Sequence, residues 1–161
     1  MVPIISFVGK HNSGKTTLLV DIIPKLEQKG IKTAVVKHAH KSLSLPGHFD
    51  SDRLFSAGAS IVYASSPEFS LIYHRNQEEW SIEQIYAQIA DEVDLIITEG
   101  FKGQDFPKIE VLRRDISTSP LEITNVLARV ADFPLENSVP TFTFEQQEEI
   151  TAFILKYLGM K

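Results

Sequence analysis

The sequence predicts an α/β fold, a mostly parallel sheet with helices on both faces, and three observations predict it. Apolar residues switch repeatedly between a strand-like and a helix-like period. Residues 3 to 36 read strand, helix, strand, and such a βαβ unit requires parallel pairing. No repeat, low-complexity tract or linker divides the chain, so one domain over residues 1–161 is expected.

Taken in order, Pro3 to Val8 (PIISFV) is a short apolar run, a candidate buried strand. Gly9 to Gly14 is a polar loop bounded by glycine. Lys15 to Lys29 reads as a helix with Leu18, Leu19, Ile22, Ile23 and Leu26 on one face and Gly30 as its stop. Pro24 inside it removes one hydrogen bond and should kink it. Ile31 to Val36 is a second buried strand. His38 to Phe49, with Pro46 and Gly47, is a polar loop. Asp50 to Ala57 is a short helix ended by Gly58.

Ser60 to Ser65 and Phe69 to His74 are two strands joined by a turn at Ser66-Pro67. Ser81 opens a helix through a capping box with Gln84. Its buried face is Ile82, Ile85, Tyr86, Ile89 and Val93. Leu95 to Thr98 is a wholly apolar strand followed by Glu99-Gly100. Lys108 to Arg113 alternates polar and apolar and reads as a strand near an edge of the sheet. Asn125 to Ala131 is a further strand, with Asp132 after it. Glu145 to Leu158 is a helix started by Thr143 and Gln146, with Ile150, Phe153, Ile154, Tyr157 and Leu158 as its stripe and Gly159 as its stop.

Composition narrows the function classes. Of 161 residues, 43% are hydrophobic and 23% charged, a globular balance. Sixteen Lys and Arg against 21 Asp and Glu give a net charge of -5, which argues against a broad grip on nucleic acid. Cysteine is absent, so disulfides, thiolate metal sites and a Cys nucleophile are ruled out. No apolar run reaches the ~18–20 residues of a membrane span. The first ten residues carry no basic stretch before a hydrophobic core, so no signal peptide is expected. A cytoplasmic protein follows as the expectation.

Gly9-Lys10-His11-Asn12-Ser13-Gly14-Lys15-Thr16 matches the phosphate loop G-x-x-x-x-G-K-[ST], between an apolar strand and an amphipathic helix. Loop N–H groups and the helix N-terminus bind phosphate oxygens. Lys15 reaches the β- and γ-phosphates and the Thr16 hydroxyl ligates Mg²⁺. The expected nucleotide contacts are Gly9, Lys10, His11, Asn12, Ser13, Gly14, Lys15, Thr16 and Thr17. Two readings stand for Lys10: a solvated loop lysine, or one that reaches a nucleotide held by a second subunit.

Such a loop needs an acid at the C-terminal end of a neighbouring strand. Glu99 stands there, with Gly100 allowing a tight turn beside a ligand. Asp94 lies at the wrong end of its strand. Asp50, in the loop after the second strand, reads as another acid facing Mg²⁺, and Arg53 as an anion contact. His38, His40 and His48 with Asp50 and Asp52 match no structural zinc spacing, and a transition-metal site is the minority reading.

The phosphate loop, Lys37-His38, Pro46-Gly47, Asp50-Ser51 with Arg53, Ala57-Gly58-Ala59, Glu99-Gly100-Phe101-Lys102 and Pro107-Lys108-Ile109-Glu110-Val111 form a series over residues 2 to 114. Together they resemble the molybdopterin-guanine dinucleotide biosynthesis adapter family, the B protein of that pathway. The resemblance implies a P-loop NTPase fold and a GTP-binding, weakly hydrolysing homodimer that assists a guanylyltransferase. It puts nucleotide and Mg²⁺ on Gly9, Gly14, Lys15 and Thr16, and sets Asp50 and Glu99 near the metal, with Lys15 and Glu99 as the catalytic pair.

Guanine selectivity is not visible as an N-K-x-D motif. Asp132 is the nearest candidate, a carboxylate able to accept from guanine N1–H and the 2-amino group; an ordinary turn Asp before Phe133-Pro134 is the other reading. Lys37, Arg53 and Lys102 could form a cationic rim for a phosphorylated pterin, or pair with nearby acids and bind nothing. Two rivals to the GTPase reading are a nucleotide-binding adapter without hydrolysis and a P-loop small-molecule kinase.

Overall fold

The computed structural model describes residues 1–39, 43–45, 47–136 and 138–159. In chain order the elements are β1 (Ile4–Val8), α1 (Lys15–Gln28), β2 (Thr33–Lys37), α2 (Asp50–Ser56), β3 (Ile61–Ser65) and β4 (Ser70–His74). They continue with α3 (Ile82–Ile89), β5 (Leu95–Glu99), β6 (Lys108–Leu112), β7 (Val126–Ala131), β8 (Thr141–Phe142) and α4 (Gln147–Tyr157). The chain divides into two compact units, Met1–His38 with Gln88–Lys161, and Ala39–Ala87.

The first unit is built on a six-stranded sheet in the order β2-β5-β1-β6-β7-β8, with every neighbouring pair parallel. Strands β1 and β5 are largely apolar runs because both of their faces are buried. Ile5 and Phe7, Leu95 and Ile97, Ile109 and Val111, and Ala128 and Val130 share one face. Leu18, Leu19, Ile22 and Leu26 of α1 and Ile150, Ile154 and Leu155 of α4 join them in a single core. Full burial of each such side chain contributes about 1.5–3 kcal/mol.

Helix α1 runs on through Pro24. The proline lacks the N–H that Val20 O would accept, and Val20 lies on the exposed face where water can serve that carbonyl. The helix ends in a Schellman motif: Ile31 N–H donates to Leu26 O at 3.0 Å and Gly30 N–H to Glu27 O at 2.8 Å. The left-handed φ of +79° at Gly30 makes this closure possible.

Strand β6 corrects the sequence reading. It lies between β1 and β7 with all five residues buried, not near an edge. Its alternation arises because the face opposite α1 is polar but satisfied. Lys108 Nζ donates to Phe106 O at 2.9 Å. Glu110 accepts from Arg129 Nε at 2.9 Å and from the Leu121 N–H at 2.6 Å. On the same face the Ser6 and Thr98 hydroxyls pair at 2.6 Å. In α4 the stripe shifts: Leu155 is buried and Tyr157 is exposed. In α3 only Ile82 of the expected face is fully buried.

The second unit holds α2 and the antiparallel hairpin β3–β4, whose register pairs Tyr63 with Ile72. Val62 is buried, whereas Ile61, Tyr63 and Ile72 are exposed. The Phe55 ring lies 5.4 Å from that of Tyr73, and the Arg75 guanidinium stands 4.4 Å over Phe55. At the turn, Ser66 Oγ accepts from the N–H groups of Glu68 and Phe69. The Ser81–Gln84 capping box forms in both directions, at 2.8 and 3.3 Å.

Candidate functional site

The loop Gly9–Gly14 leaves the C-terminal end of β1 and feeds the first turn of α1. The flanking strands β5 and β6 end on either side of it. Gly9 and Gly14 hold φ values of +152° and +93°, and Asn12 is left-handed at +61°. A Cβ at Gly14 would meet Arg113 Nη2 at 3.0 Å and Phe144 Cε1 at 3.1 Å. The chain is therefore packed tightly here, and Ser13 N–H closes the loop on Lys10 O at 3.2 Å. Ser13 is buried, while Lys10, His11, Asn12, Thr16 and Thr17 are exposed.

Lys15 folds back on the loop, donating to Gly9 O at 3.1 Å and to Lys10 O at 2.7 Å. Burial lowers its pKa below the ordinary lysine value; the Glu99 carboxylate opposes this and the Lys37 ammonium adds to it.

Glu99 ends β5 in register with Phe7 of β1 and Lys37 of β2. It therefore lies on the face that α1 covers, and its carboxylate meets the first turn of that helix. Thr16 Oγ1 donates to Glu99 at 2.9 and 3.0 Å. Lys37 Nζ lies 3.0 Å from both Glu99 oxygens and 3.3 Å from Thr16 Oγ1. The backbone closes the corner: Gly100 N–H donates to Phe7 O and His38 N–H to Glu99 O, each at 3.0 Å. The His38 and Phe101 rings stand 5.1 Å apart beside it.

Thus Lys15, Thr16, Glu99 and Lys37 are brought together. Lys10 is exposed, as a solvated loop lysine would be, and its ammonium also donates to Ser117 Oγ at 2.8 Å. Lys102 is exposed in the turn after β5. Asp132, just past β7, accepts the Arg114 N–H at 2.7 Å on a cleft of about 450 Å³ lined by Phe133, Leu135 and Thr143 among others. Asp50 belongs to the second unit, where it accepts from Arg53 Nη1 at 3.3 Å. Asp52 there is buried and accepts the N–H groups of His48 and Phe49 and the Tyr73 hydroxyl. His40 and Pro46 lie outside the described residues. Among the described residues no group of three or more His, Asp or Glu could hold a metal ion. No helix among them is long and apolar enough to cross a membrane.

Sequence reasoning missed Arg113, which directly follows the central strand β6 and stands 4.5 Å over the Phe144 ring against Gly14. Only the strand order shows that β6 adjoins the loop.

A family profile described as molybdopterin guanine dinucleotide synthesis protein B matches residues 4–132. The molybdopterin-guanine dinucleotide biosynthesis adapter protein of Escherichia coli (strain K12) is 32% identical over 98% of this chain and 94% of its own length. Its namesake from Haemophilus influenzae is 34% identical over 98% and 90%. The crystal structure of a molybdopterin-guanine biosynthesis protein B superposes with a TM-score of 0.78 at 30% identity, covering 96% of this chain and 99% of the other.

Proposed function

The chain belongs to the family of molybdopterin guanine dinucleotide synthesis protein B, and on that premise we propose that it is a GTP-binding accessory protein of molybdopterin guanine dinucleotide biosynthesis. In this reading it hydrolyses GTP weakly with Mg²⁺ and assists the guanylyltransferase that joins GMP to a phosphorylated pterin. The observation that carries it is the meeting of Lys15, Thr16 and Glu99 at the loop between β1 and α1.

The donor set fits Mg²⁺. A hydroxyl and a carboxylate are hard oxygen donors, and this cation takes one or two protein oxygens, filling its octahedron with water and phosphate. Held by Thr16 and Glu99, Mg²⁺ would supply positive charge against the negative phosphates. The chain supplies the rest. Loop N–H groups and the α1 N-terminus hold the phosphates. Lys15 trades the Gly9 and Lys10 carbonyls for phosphate oxygens, and its partial burial strengthens that attraction. Asp132 is the residue assigned to guanine: β7 is two strands from β1, ~10 Å at ordinary strand spacing, within the span of a nucleoside triphosphate.

Metal-dependent binding tests the reading. Thr16→Ala and Glu99→Gln should weaken GTP binding with Mg²⁺ present more than without it, measured by calorimetry. Equal losses in both conditions would contradict the metal role. Phosphate release above background that disappears in Lys15→Ala would separate a GTPase from an adapter without hydrolysis.

A further inference from the structure

Resting on the assignment of Thr16 and Glu99 to the cation, we propose that the Lys37 ammonium is a built-in substitute for that cation. It occupies the donor pair when no nucleotide is bound and prevents a divalent ion from loading on the protein alone.

The geometry is that of a filled site. Nζ of Lys37 has three protons and finds three oxygens, the two of Glu99 at 3.0 Å each and Thr16 Oγ1 at 3.3 Å. Thr16 gives its own proton to Glu99, so its lone pair faces the ammonium. Those same lone pairs are what a hard cation would need. A divalent ion held by these oxygens would compete with the ammonium for the same lone pairs and repel its charge.

The charge balance points the same way. Two ammoniums, Lys15 and Lys37, face one carboxylate, so the site attracts anions and repels a lone cation. A triphosphate reverses the sign. The ion then enters together with the nucleotide, and Lys37 swings out. Its side chain is 57% exposed against 11% for Glu99, so the lysine, not the acid, is the free-moving partner.

The test is a Mn²⁺ titration followed by electron paramagnetic resonance on the full chain, without and with GTP. Wild-type protein without GTP should show no stoichiometric site. Lys37→Met should acquire one at least about tenfold tighter than wild type, abolished by adding Glu99→Gln. Lys37→Arg, which keeps the charge, should resemble wild type. Should Lys37→Met fold poorly, Lys37→Gln keeps the hydrogen bonding without the charge and should also gain the site. If neither neutral variant gains Mn²⁺, while wild type with GTP binds one ion that Glu99→Gln removes, the substitute role is overturned and the metal assignment stands. If wild type with GTP binds no ion through Glu99, both fall.

Discussion

At Gly9 the loop has no room for a side chain. A Cβ there would run into the Val111 carbonyl of the central strand β6 and lie 2.7 Å from Ser13 Oγ. Gly9→Ala should therefore destabilise the protein by about 1–3 kcal/mol, the scale of backbone strain, seen as a lower urea midpoint at unchanged slope. Lys15→Ala is different in kind. It removes an ammonium held by two loop carbonyls and should weaken triphosphate binding by at least ~1.5–3 kcal/mol with little loss of fold. Unchanged GTP affinity would remove the phosphate-loop reading. In the second unit, the Tyr73 hydroxyl first, and the Phe49 and His48 N–H groups with it, hold the Asp52 carboxyl below its usual range, while Asp52 raises the Tyr73 phenol. Asp52 charged is favoured by folding, so its contribution is present above the unfolded carboxyl value and lost as pH falls through the lowered one. The raised phenol contributes below its unfolded value and loses that as pH rises through the raised one. Tyr73→Phe should lower Tm most between about pH 4 and 10, with the gap closing on the acid side. A gap that widens below that range would contradict the pairing.

Strand β6 shows what an element costs when polar residues are buried. Glu110 is 1% exposed and its partner Arg129 is on the neighbouring strand. Arg129→Met should cost about 3–5 kcal/mol, because an unpaired carboxylate stays in the core. Glu110→Met combined with Arg129→Met should recover much of that in chemical denaturation; an additive loss would deny the pairing. The strand also marks the limit of reading the chain by pattern. Lys-Ile-Glu-Val-Leu alternates like a half-exposed strand, and nothing local says that Arg129, 19 residues on, neutralises Glu110. By contrast, the phosphate loop, the Schellman end at Gly30 and the Ser81–Gln84 box are local patterns and lie where the sequence puts them. Strand β8 has two residues, too few to show any period. The site divides the same way. Thr16 and Glu99 were legible separately, each from its own motif. That Lys37 pairs with Glu99, and that Arg113 backs the loop, depends on β5 lying between β2 and β1 and on β6 lying beside β1, which periodicity does not encode.

For the whole molecule, the family resemblance implies a homodimer, and β6, enclosed between β1 and β7, offers no open edge for one. We place the proposed homodimer contact on the hairpin of the second unit. One face of it shows Ile61 at 56%, Tyr63 at 64% and Ile72 at 55% exposure, a contiguous apolar patch of the kind that marks interaction surfaces. Tyr63→Lys with Ile72→Lys should convert a sedimenting dimer to monomer while leaving GTP affinity within a few-fold; a dimer that survives both lysines lies elsewhere. The central claim concerns the nucleotide site itself and is tested most directly by calorimetric titration of the protein with GTP and with ATP, each with and without Mg²⁺. Saturable binding of GTP that is tighter than that of ATP and strengthened by Mg²⁺ is the expected result. No binding of either triphosphate, or identical isotherms with and without the metal, would contradict it.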